Sequence, residues 1–191
     1  EEQRNIAKKV KYIIIAGDLV DGVGIYPSQQ EELEIDTIDG QYKEFTRLIK
    51  KIPLDKHIIM CPGNHDMVYL AEPQPAFYQQ FSPDLFSLPN VSLVTNPSVV
   101  TIGKTESFSG FNVLLYHGYS FDYYVANVET LRNNGGYHRG DLLMKYLLQR
   151  RHLAPTHSST LYLPTQKDHL VISKVPDFFA TGHIHYAAAG N

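Results

Sequence analysis

The chain has 191 residues, 43% of them hydrophobic and 19% charged, the composition of an ordinary globular protein long enough to bury a substantial core. Seventeen Lys and Arg against twenty Asp and Glu give a formal charge of −3, so the composition advertises no strongly basic nucleic-acid binder. A single cysteine, Cys61, precludes an internal disulfide framework and fits a reducing, cytoplasmic compartment, and the longest solid apolar run, Tyr12 to Ala16, falls far short of the ~20 residues of a membrane helix.

No signal peptide or initiator Met opens the chain, and Glu1 begins within charged, helix-like sequence, which reads as a piece of something longer. Ile6 to Lys11 is expected to be the tail of a helix, with Ile6 and Val10 four apart and lysines near its end. Tyr12-Ile13-Ile14-Ile15-Ala16 is β-branched and apolar without alternation, the mark of a strand covered on both faces, and it stops at Gly17-Asp18. Asp21 to Gly40 reads as a long polar connection whose acidic part, Glu31 to Asp39, is a solvated loop or, on a sharper reading, a partner-facing surface. Phe45, Leu48, Ile49 and Ile52 have helical spacing, ended by Pro53, and His57-Ile58-Ile59-Met60-Cys61 is a second buried strand running into Pro62-Gly63-Asn64.

Prolines 73, 75, 83, 89 and 97 then punctuate irregular connections. Val91 to Val94, Val99 to Ile102 and Phe111 to Tyr116 read as strands, the last two facing each other across a Gly-bearing loop. Asp141 to Arg150 resembles a helix, a loop from Pro155 to Pro164 leads to a strand near His169 to Ile172, and a last strand, Phe178 to Ala180, ends at Thr181-Gly182-His183. The spacing predicts one α/β domain over residues 1–191, with helices alternating with buried strands early and mostly strands later.

The chemistry lies just past the buried strands. Four apolar runs end in small, polar, metal-capable residues: Gly17-Asp18-Leu19-Val20-Asp21-Gly22, Gly63-Asn64-His65-Asp66, His117-Gly118 and Gly182-His183-Ile184-His185. In α/β sheets ligands bind outside the carboxyl ends of strands, so residues far apart in sequence can converge there, and the adjoining glycines allow close backbone approach. Imidazoles, a carboxylate and an amide oxygen together suit Mn, Fe or Zn better than Ca.

These elements, in this order, resemble the calcineurin-like metallophosphoesterase family, whose pattern runs Asp-x-His, Gly-Asp-x-x-Asp, Gly-Asn-His-Asp/Glu, His, Gly-His-x-His. All but the first are present, from Gly17 to His185. The runs from Ile15 to Pro27, Leu70 to Pro75, Arg151 to Pro155 and Val175 to Asp177 further resemble the small-subunit family of archaeal family-D DNA polymerases, over essentially the whole chain. The resemblance implies a β-sandwich flanked by helices in four layers, αββα, and a metal-dependent phosphodiesterase acting as a 3′→5′ proofreading exonuclease on DNA 3′ ends. It implies two divalent ions, Mn foremost with Fe, Zn, Mg or Ni as alternatives, and a large catalytic polymerase subunit as partner.

Carried over by residue, Asp18 bridges the two ions; Asn64, His117 and His183 complete one site and His185 contributes to the other; His65 is a non-ligand catalytic histidine whose ring Asp66 orients. In that chemistry a bridging hydroxide attacks the terminal phosphodiester, both ions stabilise the developing charge, and His65 assists the departing 3′ oxygen. The expected upstream Asp-x-His is missing, since residues 1–16 contain neither Asp nor His, and both chain ends read as truncations. The chain alone is therefore expected to hold one ion well and a second poorly, and to hydrolyse phosphodiesters slowly or not at all. Two alternatives stay open: a phosphomonoesterase or cyclic-nucleotide phosphodiesterase of the same family, and a catalytically silent polymerase scaffold.

Other features have plainer readings. His57, His138, His152, His157 and His169 adjoin no Gly at a buried strand end and are read as surface or packing residues, and Cys61 as a small buried hydrophobe. Asp21 is expected to hold its turn through backbone hydrogen bonds. Phe121, Tyr123 and Tyr124 are either core residues or a stacking platform for bases. Asn64 could combine a left-handed backbone with metal binding. Gly103-Lys104-Thr105 is not a phosphate loop, because Ser98 stands where the required Gly would be.

Overall fold

Two apolar runs without alternation become neighbouring parallel strands of the first sheet. The structure is a computed structural model and describes residues 2–191, so the expectation at Glu1 lies outside the described residues. Strand β1 (Tyr12–Ala16) lies parallel to β2 (His57–Cys61), Tyr12 opposite His57 and Ala16 opposite Cys61, and β2 pairs in parallel with β3 (Val91–Leu93). A second sheet holds β4 (Ser98–Ile102), antiparallel to β5 (Phe111–Tyr116), and β6 (Phe178–Thr181), parallel to β5.

The period-2 alternation of each central strand divides the interior into layers. Ile59 and Cys61 of β2 meet Leu115 of β5, with Ile14, Ala16, Val100, Ile102 and Ala180 packed around them, so the two sheets lie face to face. Ile58 and Met60 point the other way, onto Tyr42 and Ile49 of α2 (Ile38–Ile49) and Leu85 of α3 (Pro83–Phe86). Leu114 and Tyr116 of β5 face Phe121, Tyr124 and Val125 of α4 (Phe121–Asn127), Leu131 of α5 (Glu129–Asn133) and Leu143 and Leu147 of α6 (Gly140–Arg150). Helix–sheet–sheet–helix layering is thus the mixed α/β architecture expected from the sequence.

The differences are local. A short amino-terminal helix, α1 (Glu2–Lys9), stops before Lys11 and buries nothing. Helices α3, α4 and α5 have no counterpart among the expected elements; each is at most seven residues long and stands on a few buried side chains. The expected strand near His169 to Ile172 is not one. Leu170 and Ile172 are buried, but their backbone groups pair with Leu153 and Arg151 of a neighbouring turn, with a single bridge from His152 to Val171. Phe121 and Tyr124 are fully buried, which removes them as base-stacking platforms; Tyr123 is partly buried against the same core. Among the described residues, no helix is long and apolar enough to cross a membrane.

Candidate metal centre

The carboxyl ends of β1, β2, β5 and β6 open onto one rim, and glycines let them touch. Gly17 follows β1 with φ +88°, and a Cβ there would lie 2.5 Å from His117 Nδ1 and 2.7 Å from Gly63. Three non-glycine residues on this rim adopt left-handed backbone, Asp18 (φ 53°), His183 (φ 68°) and His185 (φ 55°), whereas Asn64 does not. Uncommon dihedrals of this kind are held in place only where the surrounding structure over-determines them.

Four side chains from the four segments converge. The ligand atoms of Asp18, His117 and His183 all lie within 4.8 Å of one another. Asn64 Oδ1 sits between the rings, 2.9 Å from His117 Nε2 and 3.0 Å from His183 Nδ1, and Asp18 Oδ2 is 3.4 Å from His117 Nε2. The outer nitrogens are already engaged. His117 Nδ1 donates to the Ala16 carbonyl at 2.7 Å, and His183 Nε2 donates to Asp122 Oδ2 at 2.8 Å. Neither acceptor carries a proton, so each neutral ring must turn a bare nitrogen inward. Asp18 Oδ2, Asn64 Oδ1, His117 Nε2 and His183 Nδ1 then form a cluster of acceptors without a donor, which a divalent cation satisfies; the mixed O and N set suits Mn, Fe or Zn.

Without an ion, Asp18 and His117 stabilise each other's charge. Burial works to raise the Asp18 carboxyl, but the His117 ring and the His65 backbone N–H, which donates at 2.9 Å, hold it below the usual range. Burial likewise works to lower His117, and the Asp18 carboxylate together with the Ala16 carbonyl outweighs it, so the ring is raised.

His65 and His185 stand beside this cluster. Both line, with Asp18, an open cavity of about 500 Å³ bounded by α2 and the Asp21–Ile35 connection. His65 Nδ1 lies 2.8 Å from the Asp21 carbonyl, which orients the ring and leaves Nε2 free. His185 is exposed and is not among the converging ligand atoms, while Ile184 between it and His183 is buried.

Asp66 does not perform the expected role. Its carboxylate is buried beneath the loops, where Oδ2 accepts the N–H of Gly63 (2.8 Å) and of Leu19 (3.3 Å) and Oδ1 accepts the Tyr42 hydroxyl (3.0 Å). The side chain thus ties the β1 and β2 loops together, and the Asp21 carbonyl takes over the orientation of His65. Burial pushes Asp66 up to about 6 against the pull of those donors.

A second buried network has little trace in the sequence. Glu72 is 1% exposed; its Oε2 accepts the hydroxyls of Thr160 (2.8 Å) and Tyr116 (3.0 Å). Asn96 donates to Gln74 Oε1 at 2.6 Å and accepts the His117 N–H at 2.8 Å, and Gln74 donates to the Gly63 carbonyl at 3.1 Å. The loops carrying Asn64 and His117 therefore hang from one polar cluster. Its only sequence signal is the Leu70–Pro75 run, which carries family resemblance but no pattern of chemistry. Asp122 has none. Of the remaining five histidines, four find partners as expected, His57 at Ser92, His152 at Asp168, His138 at Tyr186 and His157 at Tyr162, and His169 lies on the surface.

Known proteins are similar to this chain over almost its whole length. The model of the DNA polymerase alpha/epsilon B-subunit family matches residues 3–188. The chain is 45% identical over 189 residues to the DNA polymerase II small subunit of Methanothermobacter thermautotrophicus, covering 98% of this chain and 37% of that protein. Identity to the DNA polymerase II small subunit of Archaeoglobus fulgidus is 43% over 191 residues (100% and 37%), and to that of Pyrococcus furiosus 38% over 188 residues (97% and 29%). The chain spans about a third of the length of the curated relatives it matches.

Proposed function

The chain belongs to the DNA polymerase alpha/epsilon B-subunit family, and on that premise we propose that it is the metal-dependent phosphodiesterase part of a polymerase small subunit, removing nucleotides from DNA 3′ ends alongside a large catalytic subunit. The observation that carries this reading is the donor-free convergence of Asp18, Asn64, His117 and His183, with the His65 ring oriented next to it. A non-catalytic scaffold has no use for that arrangement.

Asp18, Asn64, His117 and His183 would hold one divalent ion, Mn foremost, and Asp18 with His185 would contribute to a second. Bound there, such ions supply Lewis-acid polarisation of phosphoryl oxygens and an acidified water. The chain's own contribution to the chemistry is at His65. Its Nδ1–H stays on the Asp21 carbonyl, so in the protonated ring Nε2 carries the proton that the departing 3′ oxygen takes as the P–O bond breaks and a 5′-mononucleotide leaves. A formal charge of −3 gives this part of the protein little general attraction for DNA, which suits presentation of the strand by other parts of the polymerase.

His65→Ala in the full-length protein tests the reading. Single-stranded DNA is expected to be degraded roughly 10²–10⁴-fold more slowly, the size of a general acid's contribution, with bound Mn unchanged. Undiminished degradation would overturn the role of His65. Faster turnover of a nitrophenyl phosphate than of DNA in the wild-type protein would favour the phosphomonoesterase alternative.

A further inference from the structure

We propose that Asp122 is a positioning residue of this centre, fixing by a hydrogen bond which nitrogen of His183 faces the ion. The inference rests on the metal-centre reading and adds to it a residue outside the converging set.

An imidazole can offer either nitrogen, and the two are not equivalent here. Nδ1 of His183 is the atom beside Asn64 Oδ1, at 3.0 Å, while Nε2 is the atom beside Asp122 Oδ2, at 2.8 Å. A neutral ring has one N–H. Placed on Nδ1, that proton would point into the cluster and block the site, and the Nε2 lone pair would face carboxylate lone pairs. Placed on Nε2, it satisfies Asp122 and frees Nδ1 for coordination. The carboxylate therefore decides the tautomer.

Asp122 is itself held. Its other oxygen, Oδ1, accepts the Tyr137 hydroxyl at 2.9 Å. It follows Phe121, the first residue of α4, whose buried ring packs edge-on against Tyr116, centroids 6.2 Å apart. Tyr116 ends β5 and precedes His117. Asp122 and His117 are thus referenced to one strand end, so the tautomer of one ring and the position of the other are set by the same anchor. The side chain of Asp122 is 56% exposed but that of His183 only 12%. An ordinary surface ion pair contributes little to stability, and this one matters for what it does to the half-buried ring.

The test uses full-length protein with ¹⁵N-labelled histidine and Mn(II) as the ion. In the metal-free wild-type protein, ring ¹⁵N shifts are expected to show His183 as the Nε2–H tautomer. Asp122→Ala should give a mixture of tautomers and lower Mn(II) affinity by roughly 10–100-fold, the usual effect of losing an outer-shell partner, with the His117 ring unchanged. Asp122→Asn keeps an acceptor oxygen, and should keep the tautomer with a loss below about tenfold. An unmoved tautomer or an unchanged Mn(II) affinity in Asp122→Ala overturns the proposal. Absence of Mn(II) binding by wild-type protein refutes the metal-centre reading instead; the tautomer in Asp122→Ala then decides the hold of Asp122 on the ring by itself.

Discussion

Replacing Glu72 by glutamine should make the protein's stability less sensitive to pH, by an amount that the burial of that carboxyl sets. Glu72 is walled off from water, and burial pushes it up to about 7 from an ordinary 4.5, although Thr160, Tyr116 and Asn96 all donate to it. Folded chains then keep the proton through a range in which unfolded chains have lost it. Where the folded state binds more protons, stability falls as pH rises. The contribution of Glu72 is therefore fully present below 4.5 and lost as pH climbs through about 7. At about 1.4 kcal/mol per pH unit across that gap, about 3 kcal/mol is at stake. Glutamine has nearly the same size and cannot ionise, so Glu72→Gln should gain on the wild-type protein by up to that amount between pH 4.5 and 8. In melting temperature this is roughly 6–12 °C for a domain of this size. Urea and thermal melts at half-unit pH steps, in chelator so that ion binding adds no linkage of its own, measure the difference. A gap between the two proteins that stays constant from pH 4.5 to 8 would refute the reasoning, because it would mean that Glu72 does not change protonation on folding in that window.

Two further perturbations probe the loops around the centre. A Cβ on Gly63 would overlap the Asp18 carboxylate and lie 2.7 Å from His117 Cε1, while the backbone itself is not left-handed; Gly63→Ala is expected to weaken Mn(II) binding at least tenfold by calorimetry, and undiminished binding would mean that the ligands do not depend on this close approach. The Tyr42 hydroxyl donates to Asp66 Oδ1 and accepts the Met67 N–H, both at 3.0 Å in a buried setting. Tyr42→Phe should cost about 1–3 kcal/mol, read as a lower urea midpoint with an unchanged slope, and an unchanged midpoint would show that Asp66 does not need that donor.

The strands were legible to the residue at β1, β2 and β5, because each is a short run dominated by consecutive apolar residues, and that is a property of adjacent residues. The same logic misled at Leu170 and Ile172. Their alternating burial looks like a strand, yet no strand lies alongside, and the turn at Arg151 to Leu153 takes their hydrogen bonds. Short helices left no period to read, since α4 owes its existence to Phe121 and Tyr124 dropping into a core that other segments build.

From the sequence alone, the order of Asp18, Asn64, His117 and His183 after buried strands already indicated a shared rim, because parallel strands deliver their ends to one side. Which carboxylate serves which ring was decided only in three dimensions. Asp66 neighbours His65 in the chain but turns inward to Gly63, Leu19 and Tyr42, while Asp122 reaches a ring 61 residues away. Burial of a strand is recorded in consecutive residues, whereas a hydrogen bond between distant loops depends on where two separately packed elements come to rest, and no local pattern records that.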